Sequence, residues 1–346
     1  MAGALRIKRG KFCIFCKNFH YDLWKGGICS MKVAILGVWH VHAPGYTETA
    51  LRLGEVVGIY DDNPQWRAEF AGRYNIREFT TVEELLCSDA EAVLVCAATN
   101  RHAELMIAAA EHGKHIFTEK VLALRVEDCL RVKEAVEKNG VRFVISFPWK
   151  CHPGPLALKR AVDEGLIGKV NYLRFRNCHS GSIDHWLPPH FYNAEECGGG
   201  AMIDLGAHGM YLTHWILGEP LTYASSFTHF CRDDKDAELN PSRLEDNAVT
   251  VMTFAGGAIA VNETGFVSQG CPEIFEIGGD RGYLTYTRNR AVYTAAGKAP
   301  VELELPASAK SPLACFLDGT PIEGCGIEEA IMLTKMMTGA YGNVKA

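Results

Sequence analysis

Short continuous apolar runs alternate with amphipathic stretches from Met31 onward, and this alternation constrains the fold more than any other feature. The segments 33–37, 56–60 and 92–96 have the composition of buried strands, and a helical pattern follows each of them. Strands that are apolar on both faces and are joined by helices form a parallel sheet covered on both sides. Right-handed crossovers make such a domain doubly wound, with ligands at the carboxyl ends of its strands. The sequence therefore predicts an α/β fold that opens with this domain over residues 31–148.

The periodicity changes after Pro148. Segments 169–177, 248–254, 258–265, 273–277 and 283–287 alternate apolar and polar residues, and glycine pairs separate several of them. This pattern predicts a second, α+β domain over residues 149–325 with a large, mostly antiparallel sheet, followed by a C-terminal helix within 326–346. An exposed face of that sheet predicts a homo-oligomer.

Composition narrows the class of partner. A net charge of -6 argues against nucleic acid and anionic membranes, and no apolar run approaches the roughly 20 residues that span a bilayer. The 13 cysteines are an odd number in a chain of 346 residues, which is typical of reduced thiols. We therefore expect a cytoplasmic protein.

Residues 1–30 carry donors for a small zinc site, namely Cys13, Cys16, His20 and Cys29. The alternatives are a flexible tail and a translated leader before a natural start at Met31, where the first strand begins. We favour the leader or non-native tail, and the sequence predicts no metal.

The turn after the first strand predicts a dinucleotide site. Gly37 keeps the first glycine of the Gly-x-Gly-x-x-Gly fingerprint, whereas Trp39 replaces the second, which normally lets the pyrophosphate approach the backbone. Asp61 stands 24 positions after Gly37, where an acid binds a ribose hydroxyl and repels a 2′-phosphate. We expect NAD rather than NADP. The candidate cofactor residues are Gly37, Trp39, His40, Val41, Asp61, Asn100, His102 and Glu119; Asn100 could instead cap the following helix.

Two further segments carry a family resemblance. The run Gly-Lys-His-Ile-Phe-Thr-Glu-Lys that ends at Lys120 and the helical segment Gly198–Gly218, together with the strand-end residues above, resemble the glucose–fructose oxidoreductase/inositol dehydrogenase (Gfo/Idh/MocA) family, whose N-terminal domain is a Rossmann fold. The resemblance implies that Lys120 lies between nicotinamide and substrate and that Asp204 and His208 form a catalytic pair. Val121 replaces the proline of the family's Glu-Lys-Pro motif, and Tyr211 stands where an acid often occurs.

The spacing supports this site independently. Asp204, His208, Tyr211 and Trp215 fall at i, i+4, i+7 and i+11, which is one stripe of a helix. His208 could take the proton of a substrate hydroxyl while Lys120 stabilises developing charge. The candidate substrate residues are Lys150, His185, Trp186, His190 and Tyr211.

These residues predict an NAD-dependent oxidoreductase for a sugar, polyol or glycoside, because hydroxyl-rich ligands need directional partners and aromatic faces. Two alternatives stay open. A redox-neutral NAD-dependent glycosidase would use the same residues, and Trp39 and Val121 leave room for a non-catalytic binder.

Overall fold

The computed structural model describes residues 31–231 and 233–344, which form two sheets with their helices. The zinc donors considered at Cys13, Cys16, His20 and Cys29 lie outside the described residues. Within the described part of the chain, none of the helices is both long and apolar enough to cross a bilayer.

The first sheet has five parallel strands in the order β2-β1-β3-β4-β5, which confirms the predicted doubly wound architecture. The strands are β1 Lys32–Leu36, β2 Glu55–Tyr60, β3 Ala92–Val95, β4 His115–Thr118 and β5 Phe143–Ile145. All four side chains of β3 are buried, because helices cover both faces of the sheet.

Five helices alternate with the strands of this sheet or follow them: α1 Ala43–Leu53, α2 Pro64–Tyr74, α3 Val82–Leu86, α4 His102–Glu111 and α5 Val126–Asn139. The start of α2 is fixed by its capping residues. The Asn63 side chain accepts hydrogen bonds from the amides of Gln65 and Trp66, and Pro64 occupies the first helical position. This cap places Asp61 at the open end of β2.

The second sheet has eight strands in the order β13-β12-β11-β10-β6-β9-β8-β7. They are β6 Val170–Cys178, β7 Thr222–Thr228, β8 Asn247–Thr253, β9 Ile259–Gly265, β10 Ile274–Gly279, β11 Tyr283–Thr287, β12 Arg290–Thr294 and β13 Val301–Leu303. Neighbouring strands are antiparallel except β6 and β9, which pair in parallel at the centre. The prediction of a mostly antiparallel second sheet is confirmed.

Helices cover one face of this sheet. Those that pack on its strands are α6 Pro153–Asp163, α8 Ala201–Asp204, α9 Gly206–Leu217 and α12 Ile327–Tyr341. The helix α11 Pro312–Asp318 packs instead against α1 and β5 of the first domain, and α7 Ala194–Cys197 and α10 Asp234–Leu239 are short helices in the connections. α9 packs on β6 and β9, and α12 packs against both α9 and α5, so the C-terminal helix joins the two sheets. The helical segment predicted over 198–218 is instead two helices, because the helix is interrupted at Leu205 between α8 and α9.

Candidate active site

An ion pair between the two domains forms the centre of the site. Lys120 follows β4, and its Nζ donates to Oδ1 of Asp204 at 2.6 Å and to the Asp204 carbonyl at 2.9 Å. The Lys120 side chain is only 3% exposed. The Lys120–Val121 peptide bond is cis. The pair therefore joins the carboxyl edge of the first sheet to the end of α8.

The buried position of Asp204 and His208 and the nearby Lys120 ammonium determine their protonation states. Burial tends to raise the pKa of Asp204, but the ammonium of Lys120 outweighs it and holds that pKa at about 2. Burial, together with the nearby charge of Lys120, lowers the pKa of His208 to about 3. At neutral pH the site therefore contains an ionised carboxylate beside an uncharged imidazole.

Tyr211 orients that imidazole. Its hydroxyl oxygen lies 2.9 Å from Nδ1 of His208 and accepts a hydrogen bond from the Trp149 amide at 3.1 Å. When the tyrosine hydroxyl donates its proton to Nδ1, Nε2 of the neutral ring carries the hydrogen. The Tyr211 ring is held by stacking on Phe147 at 4.3 Å.

Glu119 supports the backbone of Lys120 from behind. Its carboxylate is buried and accepts hydrogen bonds from the Tyr46 hydroxyl, from Nδ1 of His42 at 2.7 Å and from the Lys120 amide at 3.1 Å. Burial alone would raise the pKa of Glu119, but the imidazoles of His40 and His42 keep it well below its ordinary value. The buried carboxylate thus fixes both the phosphate turn and the active-site lysine.

The phosphate turn packs tightly against β3. Gly37 has φ +84°, and a Cβ there would lie 2.4 Å from Cα of Ala97, so only glycine fits. The Val38 amide donates to Oδ2 of Asp61 at 2.8 Å, and the Asn63 amide donates to Oδ1 at 2.8 Å. Asp61 therefore connects the turn to the end of β2, where a ribose would lie.

Trp39 leaves the turn and enters the second domain. Its indole stacks on Phe191 at 4.8 Å, and its Nε1 donates to Glu196. Nε2 of His190 donates to the Trp39 carbonyl at 2.8 Å. The Trp39 side chain therefore points away from the phosphate turn and does not block the pyrophosphate position. It contacts the segment 189–197 of the second domain instead. We call these contacts the Trp39 latch.

Two cavities lie on either side of this latch. A cleft of about 280 Å³ opens beside the turn, lined among others by Val41, Trp66 and Arg73. A much smaller cavity of about 20 Å³ adjoins Lys120 and Asp204 and is closed by Phe191 and Gly200. The smaller cavity has room for about one water molecule.

The remaining predicted residues are distributed unevenly. His40 and Thr99 line the small cavity. His102 is buried and its ring nitrogens face the carbonyls of Val121 at 2.9 Å and Ala97 at 3.1 Å, so it braces the site from inside. Asn100 is exposed, and α4 has no side-chain cap, which removes the capping alternative.

The five predicted substrate residues do not lie together in the structure. Trp186 is 37% exposed, and its ring lies 4.6 Å from that of His179. His185 pairs with Asp233 at 3.1 Å. His190 lies at the phosphate turn, and Lys150 points away from the cleft, because its Nζ donates to the Gly324 carbonyl at 2.6 Å. Of the five, Tyr211 contacts His208, and Trp186 contacts His179, whose imidazole feels the charge of Asp204.

Sequence reasoning did not assign roles to His179, Phe191 or Glu196. His179 stacks on Phe266 at 4.8 Å, and burial lowers its pKa to about 4 while the charge of Asp204 acts in the opposite direction. Its position directly after β6 was the available signal. Phe191 and Glu196 lie more than 150 residues from Trp39, so no local pattern connects them.

Comparison with known protein families agrees with this geometry. Residues 31–147 match the model of an oxidoreductase family with an NAD-binding Rossmann fold, and residues 156–285 match the C-terminal domain of the same family. The chain is also 32% identical over 240 residues to inositol 2-dehydrogenase of Salmonella typhimurium, covering 68% of this chain and 67% of that protein. This chain belongs to the Gfo/Idh/MocA family.

Other members are more distant or match a shorter region. Myo-inositol 2-dehydrogenase of Thermotoga maritima is 34% identical over 171 residues, so the matched part spans 49% of this chain and about half, 48%, of that relative. A crystal structure of the WlbA dehydrogenase from Bordetella pertussis in complex with NADH and UDP-GlcNAcA superposes with a TM-score of 0.72 at 18% identity, covering 91% of this chain and 95% of that one. The last similarity shows a shared fold.

Proposed function

We propose that this Gfo/Idh/MocA protein is an NAD-dependent oxidoreductase that moves a hydride between nicotinamide and a hydroxyl or keto carbon of a sugar, polyol or glycoside. The observation that carries the proposal is the buried Lys120–Asp204 ion pair with His208, at the carboxyl edge of the dinucleotide domain. When bound, the nicotinamide supplies the hydride chemistry. The chain supplies charge, orientation and proton transfer.

Lys120 and His208 divide the proton and charge work. The Lys120 ammonium can hydrogen-bond the reacting oxygen and stabilise the negative charge that develops on it. His208 presents Nε2–H, which can donate to a carbonyl oxygen during reduction. In the oxidative direction the other neutral tautomer of His208 acts: Nδ1 carries the hydrogen and donates it to the Tyr211 oxygen, and the free lone pair of Nε2 accepts the hydroxyl proton. The ring then becomes an imidazolium, so the tyrosine and the histidine act as one unit.

The residues at the phosphate turn fit a dinucleotide. The Trp39 side chain is packed in the second domain rather than over the turn, and the cleft of about 280 Å³ lies beside it. Asp61 would hold the adenosine ribose, and its carboxylate disfavours a 2′-phosphate, which supports NAD over NADP. Thr99 and His40 would face the nicotinamide end.

The substrate class rests on two kinds of support. Relatives are named as dehydrogenases or reductases of inositol, levoglucosan and 1,5-anhydrofructose, which are all polyhydroxylated. Trp186 and His179 would offer an aromatic face and a polar edge near Asp204, whose charge acts on the His179 imidazole, as a sugar ring requires.

The deciding experiment is a panel of polyols, aldoses and glycosides incubated with NAD, with NADH and released products both measured. NADH that accumulates with a ketone product supports the proposal. Glycoside cleavage without net NADH would replace it with the redox-neutral glycosidase. Absence of NAD and NADP binding at millimolar concentration in calorimetry would leave only a non-catalytic binder.

We also propose that the protein assembles through the uncovered face of the second sheet. That face carries Ile259, which is 44% exposed, with Val261 and Tyr172 on the adjoining positions. A broad sheet face with apolar residues is a suitable surface for a symmetric dimer. Sedimentation analysis of the full chain tests the assembly.

We further propose a cytoplasmic location, which the cysteine content supports.

A further inference from the structure

Three metal-ligating side chains meet at the edge of the first sheet opposite the active site. Glu83 lies on α3, Cys87 directly follows α3, and His112 directly follows α4. Both helices end just before a strand of the parallel sheet begins, so this group sits at the amino ends of the strands. Lys120 and the phosphate turn lie at the carboxyl ends.

The distances between the three ligand atoms are short. Sγ of Cys87 lies 3.3 Å from Oε1 of Glu83, and Nε2 of His112 lies 3.4 Å from the same carboxylate. All three donor atoms lie within 4.8 Å of one another, and all three residues are exposed. An ion could therefore reach this group from solvent without any rearrangement of the core.

The tautomer of His112 points in the same direction. Nδ1 lies 2.8 Å from the Ala108 carbonyl, which accepts hydrogen bonds only, so Nδ1 must carry the proton. Without an ion, Nε2 can donate to the Glu83 carboxylate when the ring is protonated; in the neutral ring Nε2 has a lone pair for an ion held with Glu83 and Cys87. A histidine whose second nitrogen donates to a backbone carbonyl is the usual arrangement of a metal ligand.

The two separations that involve Glu83 match zinc. Bond lengths of about 2.0 Å to nitrogen and oxygen and about 2.3 Å to sulfur give ligand separations of about 3.3–3.5 Å in a tetrahedral site. We propose that Glu83, Cys87 and His112 bind one Zn²⁺, with water at the fourth position. The ion would tie the end of α3 to the end of α4. Without it, the hydrogen bond to Glu83 raises the pKa of the Cys87 thiol, so binding of the ion releases that proton.

The test measures zinc per chain after equilibrium dialysis of the full chain. Cys87→Ser and His112→Asn should each bind one ion fewer per chain than the unmodified protein. Because the comparison is a difference, zinc held by Cys13, Cys16, His20 or Cys29 does not affect it. Co²⁺ in place of Zn²⁺ should give a thiolate charge-transfer band that Cys87→Ser abolishes.

A matched control is Cys271→Ser, which removes another partly exposed cysteine and should leave the stoichiometry and the Co²⁺ band unchanged. Added zinc should also raise the unfolding temperature of the unmodified chain and of Cys271→Ser, but not of Cys87→Ser. Equal zinc content in the unmodified protein, Cys87→Ser and His112→Asn would overturn the proposal. All these variants lie at the surface, and circular dichroism verifies their folding.

Discussion

At the scale of single residues, Lys120 is the group whose role is easiest to isolate. Replacing it by methionine keeps most of the side-chain volume and removes the charge next to Asp204. We expect Lys120→Met to lower turnover by roughly 10²–10³-fold, because electrostatic stabilisation of the reacting oxygen is lost. NAD affinity should change little.

Lys150→Met is the matched control for that measurement. Lys150 is equally buried, but its ammonium donates to Gly324 and lies over the rings of Phe147 and Trp215. The substitution Lys150→Met should lower the free energy of unfolding without a comparable loss of turnover in the folded protein. Equal losses in both variants, measured as initial rates of NADH formation, would contradict the role assigned to Lys120.

Tyr211 is a positioning residue whose effect passes through His208. Tyr211→Phe keeps the stack on Phe147 but leaves Nδ1 of His208 and the Trp149 amide without their partner. We expect turnover to fall by about tenfold or more, with KM nearly unchanged and an altered pH profile, because the proton position on the imidazole is no longer set. Tyr192→Phe, which removes a buried hydroxyl bonded to Ser182 at 2.7 Å, should leave the pH profile unchanged. A pH profile of Tyr211→Phe identical to that of the unmodified protein would argue against this role.

At the scale of elements, the segment 189–200 lines and covers the small cavity at Lys120. α7 packs over the 3₁₀ turn Thr99–Arg101, and the cavity at Lys120 holds about one water molecule. A nicotinamide ring needs far more volume, so this segment must move when the cofactor binds.

The Trp39 latch should set how often the segment opens. Glu196→Gln replaces a charged acceptor of the Trp39 indole by a neutral one, which weakens the hydrogen bond. We expect faster hydrogen exchange of the amides of residues 196–198 in this variant. Glu195→Gln changes the neighbouring exposed carboxylate and should exchange at the original rate. Unchanged exchange in Glu196→Gln would show that the latch does not hold the segment.

Elements also show what the sequence could predict. Continuous apolar runs identified the parallel strands, and β11 was predicted with its observed bounds. β7 was not predicted, because Thr-Tyr-Ala-Ser-Ser-Phe-Thr lacks a regular apolar face and is ordered by pairing with β8. The helical spacing placed Asp204 and His208 on one stripe. The break at Leu205 instead directs Asp204 to Lys120 and His208 to Tyr211, and only tertiary packing determines that.

At the scale of the whole molecule, buried neutral histidines should make stability depend on pH. Burial lowers the pKa of both His40 and His208 to about 3, against about 6.5 in an unfolded chain. Between these values the unfolded chain binds more protons, so the free energy of unfolding falls as the pH decreases from about 6.5 toward 4. Each histidine contributes up to about 1.4 kcal/mol per pH unit. The pKa of Asp204, about 2 against 3.8, acts only at lower pH.

Denaturant unfolding at pH 7, 6 and 5 measures this dependence. His208→Asn, which cannot take up a proton, should lose one histidine's share of the slope, whatever its stability at pH 7. A slope equal to that of the unmodified protein would mean that the imidazole is already protonated in the fold.

The position of Trp39 affects which chimeric proteins can be made by exchanging domains between relatives. By chain position it belongs to the dinucleotide domain, but its neighbours Leu187, Phe191, Tyr192 and Phe266 belong to the other one. A relative with glycine at this position has no indole to fill that pocket. A chimera that joins this first domain to the second domain of such a relative would carry a bulky ring with no pocket to receive it, whereas the reverse chimera would leave a hole. Successful recombination at the boundary between the halves therefore has to move Trp39 together with the domain that receives it.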